Sequence, residues 1–148
     1  MKIKELGHVV LYVRSLTQSA DFYRDILGFK EVFREGPAAA FSSGRTHHEL
    51  LLIEVGGVIK SEKRTRPGLY HIGFKIGDGH EAIEEAWKEL KEKKVAIVGT
   101  GDHTITHSIY ILDPDENELE LYADISDEWR KNPPAIMSRT KSLHLRSR

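Results

Sequence analysis

The chain repeats a strand–helix pattern, and this repeat constrains its fold more than any other feature of the sequence. The first copy opens with HVVLYV at residue 8, and the second opens with HIGFKI at residue 71. This single offset places His71 under His8 and Leu90 under Leu27 without a gap. A repeat of this length predicts two copies of one structural module.

Each module is predicted to run strand, helix and then three strands. The first strand alternates through Val9, Leu11 and Val13, and its helix can be capped by Ser15 or Thr17 and ended by Gly28. The apolar stripes of the two helices are predicted at Phe22, Tyr23, Ile26 and Leu27, and at Ile83, Ala86, Trp87 and Leu90. Three strand-like segments follow each helix: FKEVFRE, AAAFSS and HHELLLIEV, then VAIVGT, HSIYIL and LELYAD.

The order βαβββ, given twice, predicts an α+β fold in which two modules form a curved mixed sheet around a cleft. We expect one domain over residues 1–124, with modules at about 5–57 and 68–124. Residues 125–148 form a C-terminal extension, whose basic tail is predicted to be mobile.

Composition excludes several classes of function. The 148 residues include no cysteine, so disulfides are absent and metal ligands must come from His, Asp, Glu or Tyr. The formal net charge of −1 gives no field that favours nucleic acid or acidic membranes. No signal peptide or membrane-spanning stretch is evident, so a soluble, cytoplasmic protein is expected.

Two histidines at matching places in the modules indicate a metal site. His8 and His71 would face each other across the shared cleft, and a third ligand is offered by the segment ENELELY, where Glu118 and Glu120 alternate with leucines. A carboxylate on the inner face of a sheet is costly unless it is paired or binds a metal. Two histidines and one carboxylate make the facial triad of non-haem Fe(II) enzymes. The alternative is that both glutamates lie on a solvated face.

The repeat, together with GHVVLYV, YHIGFKI and DPDENELELY, resembles the vicinal oxygen chelate superfamily. That superfamily includes glyoxalase I, fosfomycin-resistance enzymes, methylmalonyl-CoA epimerase and the extradiol, ring-cleaving catechol dioxygenases. The resemblance covers roughly residues 5–123. It implies that His8, His71 and Glu120 are the metal ligands, with Glu118 as a neighbour.

Two further stretches resemble a small, single-domain extradiol catechol 2,3-dioxygenase. The pair at the start of HHELLLIEV implies an acid–base role for His48. The stretch DHTITHSIYILDPDENELELY implies that His103, or alternatively His107, faces the substrate and that Tyr110 orients it. The resemblance therefore implies cleavage of a small aromatic diol by O₂ at Fe(II), with Mn(II), Ni(II) or Zn(II) as alternative metals, in a homodimer or larger homo-oligomer.

Other observations leave alternatives open. Glu116 stands where the family usually has glycine, and a left-handed backbone there would cost about 1 kcal/mol. A glyoxalase I-like enzyme, or another metal-dependent isomerase or transferase of the superfamily, is an alternative function. The glyoxalase reaction on Ni or Zn would need a fourth ligand, for which Glu49 and Glu54 are candidates. A metal-free binding module is a third possibility. The basic loop IKSEKRTRPGL could favour an acidic substrate or simply be solvated; its charges are Lys60, Lys63, Arg64 and Arg66.

Overall fold

The computed structural model describes residues 1–58 and 67–145. The four basic residues of the loop at 60–66 lie outside the described residues. The chain divides into two compact units, one comprising Met1–Glu62 and Asp113–Glu116, the other Lys63–Leu112 and Asn117–Arg148. Among the described residues, no helix has the length and apolar character needed to cross a membrane.

The first unit contains a four-stranded mixed sheet with the order β1-β4-β3-β2, in which β1 runs parallel to β4. Ser15 caps the helix, since its hydroxyl accepts a hydrogen bond from Gln18 N at 3.4 Å, and Gly28 follows the helix with φ of 73°. Both features agree with the sequence. The elements are β1 (Val9–Val13), α1 (Leu16–Asp21), a π-helical turn (Phe22–Ile26), β2 (Lys30–Glu35), β3 (Ala38–Ser42) and β4 (Leu50–Glu54).

The buried face of α1 differs from the predicted stripe. The helix packs on β3 and β4 through Leu16, Ser19, Ala20 and Tyr23, whereas Phe22, Ile26 and Leu27 are only half-buried. The helix widens into a π-helical turn at Phe22, and the wider turn shifts which side chains face the sheet. The predicted stripe was therefore right only at Tyr23.

The second unit repeats the architecture, with the order β5-β8-β7-β6 and β5 parallel to β8. Its helix packs on β5, β7 and β8 and buries Ile83 and Leu90, two of the four residues of the predicted stripe, while Ala86 and Trp87 are half-buried. The α+β fold with two βαβββ modules is confirmed. The elements are β5 (His71–Asp78), α2 (His80–Glu92), β6 (Ile97–Asp102), β7 (Thr106–Leu112) and β8 (Glu118–Asp124).

The turn between β7 and β8 belongs to the first unit and is held by three of its side chains. Tyr23 donates to Asp113 Oδ2 at 2.8 Å. Asp115 accepts from Arg14 Nε at 2.9 Å and from Ser19 Oγ at 3.1 Å. Glu116, next in the turn, has φ of 61°, so the left-handed backbone anticipated from the sequence is present.

The C-terminal extension returns to the second sheet. After two short 3₁₀ turns, at Glu128–Arg130 and Pro133–Met137, Lys141 exchanges two backbone hydrogen bonds with Asp102 at the end of β6, at 2.9 and 3.1 Å. This single bridge attaches the extension to the sheet at Lys141, and the predicted mobility of the tail stays a prediction.

Candidate active site

One face of the second sheet collects polar side chains in register. Glu120 pairs across the sheet with Gly73 on one side and Tyr110 on the other, and Glu118 pairs with His71. Because alternate residues of a strand share a face, His71, Glu118 and Glu120 project to the same side as Ser108 and Tyr110. The opposite face carries the apolar side chains that pack under α2.

The Glu120 carboxylate is fixed by hydrogen bonds through one oxygen. Oε1 accepts from Ser108 Oγ at 2.7 Å and from the Tyr110 phenol at 3.1 Å. Oε2 lies 3.2 Å from His71 Nε2. Because both donors bind Oε1, Oε2 faces the imidazole of His71. The protein itself therefore fixes the orientation of the carboxylate.

The pair formed by His71 and Glu120 fits two ligands of a single metal ion. Ligands about 2.1 Å from one ion and at right angles to each other lie about 3.0 Å apart, close to the observed 3.2 Å. The other ring nitrogen, His71 Nδ1, is buried with no hydrogen-bond partner among the described residues, and Glu118 Oε1 lies 3.6 Å from it. A carboxylate behind the second nitrogen is the usual support of a metal-binding histidine.

The third predicted ligand, His8, belongs to the first unit and lies just before β1, where Val9 N donates to Glu49 O at 2.9 Å. Within residues 1–58 and 67–145, three or more His, Asp or Glu side chains do not gather into a ready metal-binding group. The ligand set of His8, His71 and Glu120 therefore stays a prediction.

Tyr110 links Glu120 to His103. Its phenol lies 2.9 Å from His103 Nε2 and donates to Glu120 Oε1. Burial raises the pKa of Tyr110, and the charge of Glu120 raises it further. The phenol therefore keeps its proton at neutral pH and is available as a donor.

His107, the alternative to His103, lies on the other face of β7. Its Nδ1 is 2.9 Å from Nδ1 of His80, the first residue of α2, and its Nε2 is 3.7 Å from Asp102 Oδ1. Burial lowers the pKa of His107, although Asp102 opposes this effect. His103, and not His107, thus contacts Tyr110, which in turn contacts Glu120.

The His-His pair of the first unit lies beside His8. The rings of His48 and His8 are 4.6 Å apart between centroids, and His47 Nδ1 lies 2.6 Å from His48 Nδ1. Partial burial lowers the pKa of His48, and the two neighbouring imidazoles act in the same direction. His48 is therefore held in its neutral form, which can accept a proton.

Glu54 and Glu49, the two candidates for a fourth ligand, both accept hydrogen bonds within the first unit. Glu54 Oε2 accepts from Leu16 N at 2.7 Å and so satisfies the start of α1. Glu49 accepts from the backbone and the hydroxyl of Ser43 at 2.9 and 2.8 Å. Register also argues against both, because Val10 pairs with Leu51 as Gly73 pairs with Glu120. Leu51 is thus the counterpart of Glu120 in the first module.

Sequence reasoning missed Ser108 and Thr140. Ser108 precedes Tyr110 by two residues on the same strand, so strand alternation alone could have placed it beside Glu120. Thr140 Oγ1 lies 3.2 Å from His103 Nδ1, a contact across 37 residues of chain that no local pattern signals.

A comparison with known protein families agrees with the fold of the two modules. The family model described as the Glyoxalase/Bleomycin resistance protein/Dioxygenase superfamily matches residues 5–121. The chain belongs to this superfamily. Its members share the vicinal oxygen chelate fold, which the two βαβββ modules reproduce.

Relatives within the superfamily fall into two groups. Catechol-2,3-dioxygenase of Bacillus subtilis is 33% identical over 80% of this chain, and the match covers 41% of that protein. Metallothiol transferase FosB of Staphylococcus haemolyticus is 34% identical over 81% of this chain, and the match covers 84% of that protein. The chain thus spans about two fifths of the dioxygenase and most of the transferase.

Solved structures of the superfamily share the fold. A glyoxalase/dioxygenase from Nostoc punctiforme aligns with a TM-score of 0.72 at 22% identity, covering 83% of this chain and 92% of that one. The fosfomycin resistance protein FosX of Listeria monocytogenes aligns with a TM-score of 0.67 at 23% identity, covering 86% and 98%. At these identities the likeness concerns the fold alone.

Proposed function

We propose that the chain is a metal-dependent extradiol dioxygenase that opens a catechol ring with O₂. The observation that carries the proposal is the chain of contacts from His103 through Tyr110 to the oriented carboxylate of Glu120. These contacts join an imidazole and a phenol to the predicted metal ligand. The 33% identity to a catechol dioxygenase also supports the proposal.

The ligands would be His8, His71 and Glu120, with Fe(II) as the first choice of metal. Two neutral imidazoles and one carboxylate suit Fe(II) and leave coordination positions open. Such an ion would supply a common binding point for both catechol oxygens and for O₂, which is the proximity effect.

The remaining residues would manage protons and orientation. His48, held neutral, can take a proton from the incoming catechol. Tyr110, which keeps its own proton, can donate a hydrogen bond to a substrate oxygen. Both atoms of O₂ enter the product, which is a ring-opened semialdehyde acid. The reaction therefore needs no co-substrate besides O₂.

The test is turnover with matched oxygen consumption. The protein is loaded with Fe(II) without air and then mixed with catechol, 3-methylcatechol or 2,3-dihydroxybiphenyl in air. A yellow product with one O₂ consumed per product formed is expected. His71→Ala should lose both iron and activity, whereas His144→Ala, at an exposed position, should keep both. Stoichiometric iron without product, or iron retained by His71→Ala, would contradict the proposal.

A second candidate is thiol transfer, favoured by the transferase relatives, most of whose length the chain spans. The same ligands would then hold Mn(II), one of the alternative metals that suit imidazole and carboxylate ligands. Thiol consumption by the Mn(II)-loaded protein with fosfomycin and a low-molecular-weight thiol, together with no catechol cleavage, would select this function.

A further inference from the structure

The C-terminal extension brings a hydroxyl to the predicted catalytic histidine. Lys141 pairs with Asp102 through two backbone hydrogen bonds, so the neighbouring residues Thr140 and His103 meet at the end of β6. Thr140 Oγ1 lies 3.2 Å from His103 Nδ1. The contact joins the extension to the face of the sheet that carries Tyr110 and Glu120.

The space for this contact is provided by a glycine. A Cβ atom at Gly101 would lie 2.9 Å from His103 Nε2 and 3.0 Å from Thr140 Cγ2, closer than side chains normally approach. The backbone of His103 is also fixed, since its N–H donates to Thr106 O at 2.9 Å. The imidazole is therefore seated against both Thr140 and the β6 backbone.

The hydrogens along the chain of contacts can be assigned by counting donors. An ionised carboxylate only accepts, so the single proton of Tyr110 is donated to Glu120 Oε1. The phenol oxygen must then accept from His103 Nε2, 2.9 Å away. A neutral imidazole has one N–H, so Nδ1 is left as an acceptor for the hydroxyl of Thr140.

We propose that Thr140 is a positioning residue that holds His103 in the tautomer with its proton on Nε2. In the opposite tautomer two acceptors would face each other at Tyr110, 2.9 Å apart, whereas the hydroxyl of Thr140 can either donate or accept. By donating to the bare Nδ1, Thr140 adds to the preference that Tyr110 sets and makes His103 a donor towards the site. This inference deepens the proposed function and rests on it for its catalytic meaning: His103 would serve as the acid and His48 as the base.

The tautomer can be measured without metal or turnover. The ¹⁵N shifts of the His103 ring, recorded by long-range ¹H–¹⁵N correlation on the metal-free full chain at alkaline pH, distinguish a protonated from a bare nitrogen. Signals of His103 are assigned by their loss in His103→Gln. We expect protonated Nε2 and bare Nδ1 in the wild type and in Thr140→Ser, which keeps the hydroxyl.

Thr140→Val keeps the shape of the side chain and removes the donor. In this variant the His103 signals should move towards a mixture of the two tautomers. A wild-type ring protonated on Nδ1 would overturn the proposal, as would a Thr140→Val ring with wild-type shifts. If Thr140→Val does not fold, Thr140→Ala supplies the same test, and a ring with wild-type shifts in that variant would overturn the proposal.

Activity provides a separate readout. With a catechol substrate, Thr140→Val should lower kcat by about tenfold with little change in KM, and Thr140→Ser should stay near the wild type; complete loss of an acid–base group costs about 10² to 10⁴ in rate. If no catechol is cleaved by any form while the ring shifts follow the expected pattern, the proposed function fails and the tautomer assignment stands.

Discussion

The phenol of Tyr23 donates a 2.8 Å hydrogen bond to Oδ2 of Asp113, and both side chains are buried. Asp113 begins the turn that leads into β8, the strand that carries Glu120. Burial raises the pKa of Tyr23 well above its ordinary value, and Asp113 raises it further, so the phenol remains a donor throughout the pH range of folding.

Tyr23→Phe is expected to lower the free energy of unfolding by about 1.5–3 kcal/mol, the range for losing a hydrogen bond to a charged group. The measurement is urea denaturation followed by circular dichroism. Tyr12→Phe is the matched control, because Tyr12 is 72% exposed, and it should change stability by less than about 0.5 kcal/mol. Equal losses in the two variants would show that the buried bond contributes nothing.

Glu116→Gly is expected to stabilise the protein by about 0.5 kcal/mol. The left-handed backbone at φ of 61° costs a non-glycine residue about 1–2 kcal/mol in the folded state. Glycine removes this cost, but it also raises the entropy of the unfolded chain, which lowers stability by about 0.5–1 kcal/mol. Asp127→Gly, at an exposed position with φ of −98°, should instead destabilise. A loss of thermal stability in Glu116→Gly would contradict the assigned strain.

If His71 is a metal ligand as proposed, Glu118→Gln is expected to weaken metal binding by about 10- to 100-fold, the usual effect of removing the carboxylate that supports such a histidine. The carboxylate oxygen 3.6 Å from His71 Nδ1 would lose its charge and with it the electrostatic support for an N–H at that nitrogen. Competition with a chromophoric chelator measures the affinity. Glu116→Gln, the same charge change at an exposed turn position, should bind metal like the wild type.

Protonation of His107 is expected to destabilise the fold as pH decreases. Burial, aided by the neighbouring His80, lowers the pKa of His107 in the folded state, and Asp102 opposes this. The unfolded chain therefore takes up its proton first, near pH 6.5, so stability present above that pH is lost as pH falls below it. Denaturation curves recorded from neutral to mildly acidic pH should show a smaller loss for His107→Gln. Equal losses of stability in the wild type and in His107→Gln would contradict this assignment.

Much of the fold was predictable because the repeat and the strand alternation are local signals. The histidine of each copy, the capping hydroxyl of Ser15 and the left-handed Glu116 all follow from short patterns. The buried face of α1 was not predictable, since a π-helical turn at Phe22 depends on packing that no periodicity expresses.

The site was predictable only in part, for a related reason. Tyr110 and Glu120 are ten residues apart on adjacent strands, so their sequence order and strand alternation indicate one face. The contact of Thr140 with His103 requires the extension to return to β6, and the roles of Glu49 and Glu54 depend on sheet register. These are tertiary facts, fixed by pairing between distant segments.

The pairing of Val10 with Leu51 mirrors that of Gly73 with Glu120, so positions 51 and 120 are equivalent in the two modules. The first module carries leucine at position 51 where the second carries glutamate at position 120. With Glu120 as the single carboxylate of the proposed ligand set, a divalent ion would keep a net positive charge, which would attract an anionic chelating ligand. The presence of a carboxylate in one module and its absence at the equivalent position of the other would thereby set the charge that the proposed ion offers to its substrate.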